Sequence, residues 1–441
     1  DKRPFGRSAL NNDFSIGWSS LLLLIAAKFG NGRRLFKRLK LNLHDCKDIM
    51  MDATSGKEDK NNKDNFRDEF KVTPWEVEGK IDYNKLIAKF GTQPITQEIL
   101  DKVKRITGEI HPMLRMQYFF SHRDFDWILD KHEGGENFYL YTGRGPSGMV
   151  HMGHLMPWIF TKYLQDKFGS HLLFQLTDDE KFLYSQARSR EEIKNYTHEN
   201  ILDIIAVGFD PKKTRIIIDT KHIHYLYPIA SEIAKRITFS TAKAVFGFSN
   251  STNVGMIGFP PIQAAPCFLP SLIEGKPTPV LIPAAIDQDP YWRMTRDVAE
   301  RMGYYKPSQI HSKFLPGLGM SGKMSSSKPE TALFTSDEPE VIEKKVSTAF
   351  TGGQSTIQLQ RLLGGNAIGC PVFWYLRYFF DTERRSDERL LQCKSGNLLC
   401  GECKGDLAKE SKSFMIEFKK RREKAKDVIA NFMYDGETYE K

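Results

Sequence analysis

The feature that most constrains this chain is an alternation of short apolar runs with helical periodicity between residues 138 and 315. Phe138 to Tyr141 (FYLY), Leu172 to Leu176 (LLFQL), Arg215 to Asp219 (RIIID), Val280 to Pro283 and Ile310 to Leu315 read as strands. Between them, Leu155 to Phe168, Glu191 to Val207 and Pro290 to Met302 repeat apolar residues at helical spacing. Strands alternating with helices pair in parallel through right-handed crossovers. The expected fold class is therefore α/β, a doubly wound parallel sheet of the Rossmann-like kind. Ligands of such sheets bind beyond the carboxyl ends of the strands.

Elsewhere the pattern changes. Thr96 to Thr107 and Phe125 to His132 read as helices that precede the first strand. After Asp337 the strand signals stop. Thr335, Ser336 and Asp337 are candidate N-caps for a helix through Phe350, and further helices are expected over Val372 to Phe380 and Leu407 to Met433. The division that follows is an extension and linker over 1–65, a helical appended region over 66–135, the sheet domain over 136–349 and an all-helical domain over 350–441. In the first of these, Arg33, Arg34, Lys37, Arg38 and Lys40 form a basic stretch, and Gly56 to Asn65 (GKEDKNNKDN) has the composition of a flexible linker.

Two motifs sit at strand ends. Thr142 to His154 (TGRGPSGMVHMGH) joins the first strand to its helix. Gly143 and Gly145 let the backbone turn tightly and approach a ligand. His151, Gly153 and His154 fall at the start of the helix, where free N–H groups and the dipole favour a polyphosphate. The second motif, Gly322 to Pro329 (GKMSSSKP), lies in a Gly- and Ser-rich loop after the last strand. Lys323 can meet a phosphate as a point charge, while Ser325, Ser326 and Ser327 bring hydroxyls and a pliable backbone. Two such loops at strand ends can serve one nucleotide pocket.

The 441 residues carry 64 Lys and Arg against 55 Asp and Glu, a formal net charge of +9. An excess of this sign favours a polyanionic partner, although it is equally the mark of a well-solvated surface. The run Lys419 to Lys426 (KKRREKAK) concentrates it, with Lys419, Lys420, Arg421 and Arg422 as candidate phosphate contacts. Six cysteines are too few for a disulfide framework in a chain this long, which points to a reducing compartment. Cys393, Cys400 and Cys403 form C-x6-C-x2-C. With no fourth Cys or His close by, a closed tetrahedral zinc site is incomplete, so reduced cysteines and no protein-bound metal are expected. The longest apolar run, Leu21 to Ala27, is far short of the ~20 residues that span a bilayer, and no secretory leader is expected.

HMGH and KMSSS resemble the paired signatures of class I aminoacyl-tRNA synthetases, usually written HIGH and KMSKS. Ser326 stands where the second signature lysine would be. Lys323 is then the lysine that matters, and Lys328 just outside the motif is a candidate substitute. Four further stretches resemble the tryptophanyl-tRNA synthetases of eukaryotes and archaea: Tyr139 to Ser147 (YLYTGRGPS), Gln175 to Lys181 (QLTDDEK), Phe259 to Pro266 (FPPIQAAP) and Ala285 to Asp297 (AIDQDPYWRMTRD). The short run from Val72 to Val77 (VTPWEV) is similar too. The likeness extends from about Phe66 to the C-terminal helices.

The resemblance implies a set of roles. Tyr141 and Gln175 would accept the indole N–H, and Glu180, Gln263 and Gln288 would hold the ammonium of tryptophan. Gly143, Arg144, Gly145, His151, Gly153, His154, Lys323, Met324 and Ser325 would surround ATP, with His151, His154, Lys323 and Ser325 in the catalytic set. Magnesium would arrive with ATP, and Asp178 and Asp179 would belong to a strand-to-helix turn rather than to a metal pair. The partners implied are tRNA(Trp), L-tryptophan and ATP, and the enzyme would be a cytoplasmic homodimer with no membrane association. A tyrosyl-tRNA synthetase shares the fold, but its ring site commonly carries an Asp where glutamines stand here. A nucleotidyltransferase-like RNA-binding paralogue would carry H-x-G-H without the second signature and the long helical C-terminal region.

Overall fold

The computed structural model describes residues 70–72, 77–79, 82–320, 324 and 328–436. The first 65 residues, most of VTPWEV, Lys323 and Ser325 to Ser327 lie outside the described residues, as do the expectations attached to them.

Strands β1 (Phe70–Val72) and β2 (Val77–Gly79) pair as a small antiparallel hairpin. The main sheet contains β3 (Gln93–Pro94), β4 (Phe119–Arg123), β5 (Tyr139–Arg144), β6 (Leu172–Leu176), β7 (Thr214–Ile218), β8 (Val280–Ala285) and β9 (Ser308–Ser312), in the order β3-β4-β9-β8-β5-β6-β7. From β9 to β7 every neighbour is parallel. The helices that matter below are α1 (Met152–Phe168), α2 (Asp178–Tyr184), α3 (Arg190–Ala206), α4 (Asp219–Ala234), α5 (Val254–Ala264), α6 (Asp289–Ala299), α7 (Pro339–Ser347) and α8 (Cys400–Ala425). Among the described residues no helix is long and apolar enough to cross a membrane.

The five parallel strands are those expected from the apolar runs. Strands β3 and β4, which extend the sheet antiparallel beyond β9, were not among the expected strands, and β4 is the informative one. Its sequence, FFSHR, hides a buried strand behind polar letters that are satisfied inside the fold. Ser121 Oγ lies 3.1 Å from His311 Nδ1 on β9, and His122 Nδ1 accepts the backbone N–H of Phe125 at 3.1 Å. Arg123 then ties the edge to the body of the sheet through a two-point ion pair with the fully buried Asp289, at 2.7 and 3.0 Å.

Two helix starts also differ from expectation. The N-cap of α7 is Glu338, with Pro339 at the first helical position, where a missing N–H costs nothing. Asp337, an expected cap, instead accepts the N–H of Phe334 at 2.9 Å and pairs with Lys345 at 2.7 Å. Helix α8 begins at Cys400, seven residues before Leu407. Gly401 and Gly405, poor helix formers, mask that first turn in the sequence. Glu402 supports it by accepting the N–H of Leu399 at 2.8 Å.

Helix α8 packs along α3 and α7. Its buried face, Leu407, Met415, Phe418 and Ala425, belongs to the same apolar core as Leu155, Phe160 and Phe174 around the sheet. Helix α8 thus joins the apolar core of the sheet region through α3 and α7.

Candidate active site

The chain runs from β5 outward to β6 and β7, then returns to the other side of β5 as β8. Strand order therefore reverses between β5 and β8, and a crevice opens where their carboxyl ends diverge. A cleft of about 860 Å³ lies there. It is bordered by Tyr141 to Gly145, Pro283 to Ala285, the start of α1 and the end of β9. Of the residues singled out above, Tyr141, Gly143, Arg144, Gly145, His151, Gly153, His154, Gln175, Glu180, Gln263, Gln288 and Met324 all line it.

The glycines are required by close approach. A β-carbon on Gly143 would stand 2.9 Å from the backbone oxygen of Gln175 on the adjoining strand. One on Gly145 would fall 1.8 Å from Lys181 Cε and 2.9 Å from Glu180 Oε2. That space holds a polar cluster. Lys181 Nζ is 2.7 Å from Glu180 Oε1, and the Thr177 hydroxyl donates to Glu180 Oε2 at 2.9 Å. Glu180 is almost completely buried, so its charge faces few competing waters and suits a substrate ammonium.

Arg144 lines the cleft and also has a structural task. Its Nε donates to Asn200 on α3, and its Nη2 donates to the carbonyls of Gly148 and Met149 at 3.1 and 3.3 Å. Burial brings its pKa down to about 10, partly offset by Asp203. The guanidinium organises the loop from Gly145 to Met149 from behind, because five N–H donors out of water must all find acceptors.

His151 is the N-cap of α1, and His154 Nδ1 accepts its backbone N–H at 3.3 Å. The two rings stack at 3.6 Å between centroids. The segment after the second signature runs beside them: His151 bridges to Phe334, and Met152 N–H donates to Leu333 at 3.0 Å. Met324 from that signature is buried and bonds Leu315 through its N–H at 3.3 Å. Its sulfur would lie 3.7 Å from a β-carbon on Gly153. Motifs 170 or so residues apart thus meet at one helix N-terminus, where anionic ligands are favoured.

At the ring side, Tyr141 is fully buried and packs edge-on against Trp292, centroids 5.2 Å apart. Its hydroxyl donates to Gln175 Oε1 and is 2.6 Å from the carbonyl of Gln263. Burial first, then Cys267 and Asp219 nearby, hold its pKa well above the ordinary phenol value, so the proton stays on. Asp178 accepts from both the N–H and the hydroxyl of Thr220. Burial raises Asp179 to about 6. Both carboxyls therefore serve the α2–α4 contact.

Several site residues were not singled out from the sequence, although Trp292 lies in the AIDQDPYWRMTRD stretch. Trp292 and Lys313 line the cleft, whereas the exposed Lys328 does not. Lys313 follows β9, and its ammonium lies 5.3 Å from the Tyr83 ring. Burial holds its pKa below the usual ammonium value. Asn200 carries no motif, yet it fixes Arg144.

The basic run on α8 divides by face. Lys419 pairs with Glu338 at 2.7 Å, and Arg422 pairs with Glu199 and, at 3.1 Å, with the fully buried Asp203. These two charges are turned into the fold. Lys420 and Lys424 are exposed, with Arg421 beside them over the Phe418 ring.

The fold also brings Cys370 to Cys393, Cys400 and Cys403. All four border one small cavity beside Arg389, which donates to Cys403 Sγ at 3.5 Å. Burial lifts Cys403 to about 11 and raises Cys393 as well. Among the described residues no three His, Cys, Asp or Glu side chains stand ready to hold a metal ion.

A doubly wound sheet whose switch-point cleft is lined by His151, Gly153 and His154 of the first signature and Met324 of the second defines a class I aminoacyl-tRNA synthetase. The family described as tRNA synthetases class I (W and Y) matches residues 133–415. Tryptophan–tRNA ligase of Pyrobaculum calidifontis is 50% identical over 363 residues, 82% of this chain and 97% of that protein. The corresponding ligase of Thermococcus onnurineus is 52% identical over 374 residues, 84% of this chain and 96% of its own. Among solved structures, the tryptophanyl-tRNA synthetase of Giardia lamblia superposes with a TM-score of 0.76 at 38% identity, covering 81% of this chain and 97% of that one. That of Plasmodium falciparum gives 0.77 at 38%, covering 82% and 100%. The chain belongs to the tryptophan–tRNA ligase family.

Proposed function

We propose that this enzyme activates L-tryptophan with ATP and transfers it to the 2′-hydroxyl of the 3′-terminal adenosine of tRNA(Trp). The observation that carries the reading is the buried Tyr141 hydroxyl at the ring side of the same cleft that holds His151 and His154. Its proton is directed at Gln175 or Gln263, so its lone pairs can receive the single N–H of an indole. Glu180 receives the ammonium, with Gln263 and Gln288 beside it.

The tryptophan carboxylate attacks the α-phosphorus and pyrophosphate leaves. The tRNA hydroxyl then attacks the carbonyl carbon of the adenylate and AMP leaves. Alignment and charge neutralisation do most of this work. The backbone of Gly143 and Gly145 admits ATP closely, and the start of α1 with His151 and His154 faces its phosphates. Lys323 and Ser325 of the second signature supply a charge and a hydroxyl to those phosphates. Magnesium would be carried by the ATP phosphates, since the described residues provide no cage of their own, and it would neutralise phosphate charge. We assign the enzyme to the cytoplasm as a homodimer. Exposed Tyr227, Phe239, Val254 and Leu272, all on the helices between β7 and β8, support the second assignment.

Two outcomes are expected. ATP–pyrophosphate exchange assayed with each of the twenty amino acids should depend on tryptophan; exchange with tyrosine equal to or above it would overturn the reading. For tRNA, the exposed side of α8 is the proposed contact, and the helical region after about Phe350 reads the anticodon. Replacing Lys420, Arg421 and Lys424 together by alanine should flatten the salt dependence of aminoacylation by up to about two to three in log–log slope. Tryptophan activation without tRNA should stay unchanged. An unaltered slope would make that face merely solvated.

A further inference from the structure

Behind Tyr141 lies a buried polar chain that the reaction steps above do not use. Gln175 stands at its centre, on β6 and fully buried. Its Nε2 donates to Asp219 Oδ1 at 2.7 Å and more weakly to the carbonyl of Ile262 at 3.4 Å. Its Oε1 accepts the hydroxyl of Tyr141. An amide with two acceptors around its nitrogen has only one tolerable orientation, because a flip would press Oε1 against a carboxyl oxygen and a carbonyl.

The orientation passes to Tyr141. Its oxygen faces Gln175 Oε1 and, at 2.6 Å, the carbonyl of Gln263. A hydroxyl has one proton, and with two acceptors on the inner side that proton stays inside. Toward the cleft the oxygen can only accept. Were the amide reversed, Nε2 would donate to Tyr141 and free its proton to point at the ligand.

Asp219 holds the far end. It opens α4, is fully buried, and meets the Asp179 carboxyl. Burial, and then Asp179, keep its pKa well above the carboxylate range. Its Oδ1 accepts from Gln175, and burial beside Asp179 favours the protonated form of the carboxyl.

We propose that Asp219 is a specificity-determining positioning residue: through Gln175 it fixes the Tyr141 hydroxyl as an acceptor, so that the site selects an amino acid whose ring carries a hydrogen-bond donor. This rests on the reading that the indole lies against Tyr141. Asp219 touches no substrate, and its effect is to be seen in selectivity rather than in chemistry.

The test compares tryptophan with β-(3-benzothienyl)alanine, in which sulfur replaces the indole N–H, by ATP–pyrophosphate exchange on the full chain. Asp219→Leu should shrink the kcat/KM ratio between the two by about 10-fold, the scale of one buried hydrogen bond. The loss should sit in KM for tryptophan, with KM for ATP unchanged. Asp219→Asn should restore the ratio, since its side-chain oxygen can still accept from Gln175. Equal losses for both amino acids in Asp219→Leu would mark a structural residue and overturn the proposal. If that variant does not fold, Gln175→Met carries the same expectation, and an unchanged ratio there is equally fatal. Tyr141→Phe separates the two readings. A ratio that collapses in Tyr141→Phe but survives in Asp219→Leu removes the relay alone, whereas a ratio unmoved in Tyr141→Phe removes the indole contact and the relay with it.

Discussion

Lys323→Ala is expected to lower kcat for tryptophan activation by about 100-fold or more at saturating ATP, with a much smaller change in KM for tryptophan. Losses of that size are usual when a preorganised charge that meets the transition state is removed. The signature motivates the expectation, and its described residue Met324 stands beside the motif of His151 and His154. Met324 is buried under the start of α1, held by Leu315 at 3.3 Å, and within 3.7 Å of the Tyr375 hydroxyl. Ser326 in the signature leaves no second ammonium within it, which makes the single lysine harder to replace. Lys313 lines the cleft from β9, but its ammonium lies near the Tyr83 and Phe120 rings. Single-turnover kinetics of adenylate formation decide the matter. An unchanged kcat with only a raised KM for ATP would mean that Lys323 binds nucleotide without stabilising the transition state.

The largest effect on stability is expected away from the cleft. Arg422→Met should destabilise the protein at pH 7.5 by about 3–5 kcal/mol, because it leaves the fully buried Asp203 without its principal cation. Arg144 remains nearby as a second cation, which favours the lower part of that range. Adding Asp203→Asn to the same chain should recover much of the loss, since no unpaired charge is then left inside.

The pH dependence has a definite sign. Burial raises Asp203 from its ordinary value of 3.8 to about 6 in the fold, despite the opposing charges of Arg422 and Arg144. The folded state therefore holds this proton more tightly than the unfolded chain does. Its contribution to stability is most favourable below pH ~4 and declines as the pH rises toward ~6, where the folded group ionises. Without Arg422 the folded value moves higher still and the decline continues to higher pH. Denaturant melts at pH 5 and 7.5 should show a larger deficit for Arg422→Met at the upper value. Equal deficits, or no recovery in the double variant, would contradict the account. The same contact bears on function, because Asp203 and Asn200 share α3, and Asn200 fixes Arg144 behind the nucleotide loop. A strained α8 contact is thus expected to loosen the loop as well.

Much of this protein is legible in its sequence, and the legible part has one physical character. Apolar runs and helical spacing are local signals, and they marked the five parallel strands, within a few residues at each end. The signatures are local too: a glycine that only a close backbone approach requires, such as Gly143, and histidines at a helix start show in a dozen letters. What the letters could not show depends on contacts between distant segments. FFSHR became a buried strand next to β9, where His311, 190 residues away, satisfies Ser121. That Arg144 also holds its loop was not legible, because it depends on Asn200 lying within reach of its Nε. A run of like charges on α8 gave no hint that Lys419 and Arg422 face carboxylates on α7's cap and α3. Cys370 joins three other cysteines only when the C-terminal helices fold. Asp219, an ordinary strand-end residue by pattern, acquires its role from burial beside Gln175 and Asp179. Local pattern thus determined the elements, their order and the family's chemistry. The direction of each buried proton and charge was decided by tertiary packing, because out of water a polar group must find its partner wherever the fold has placed one.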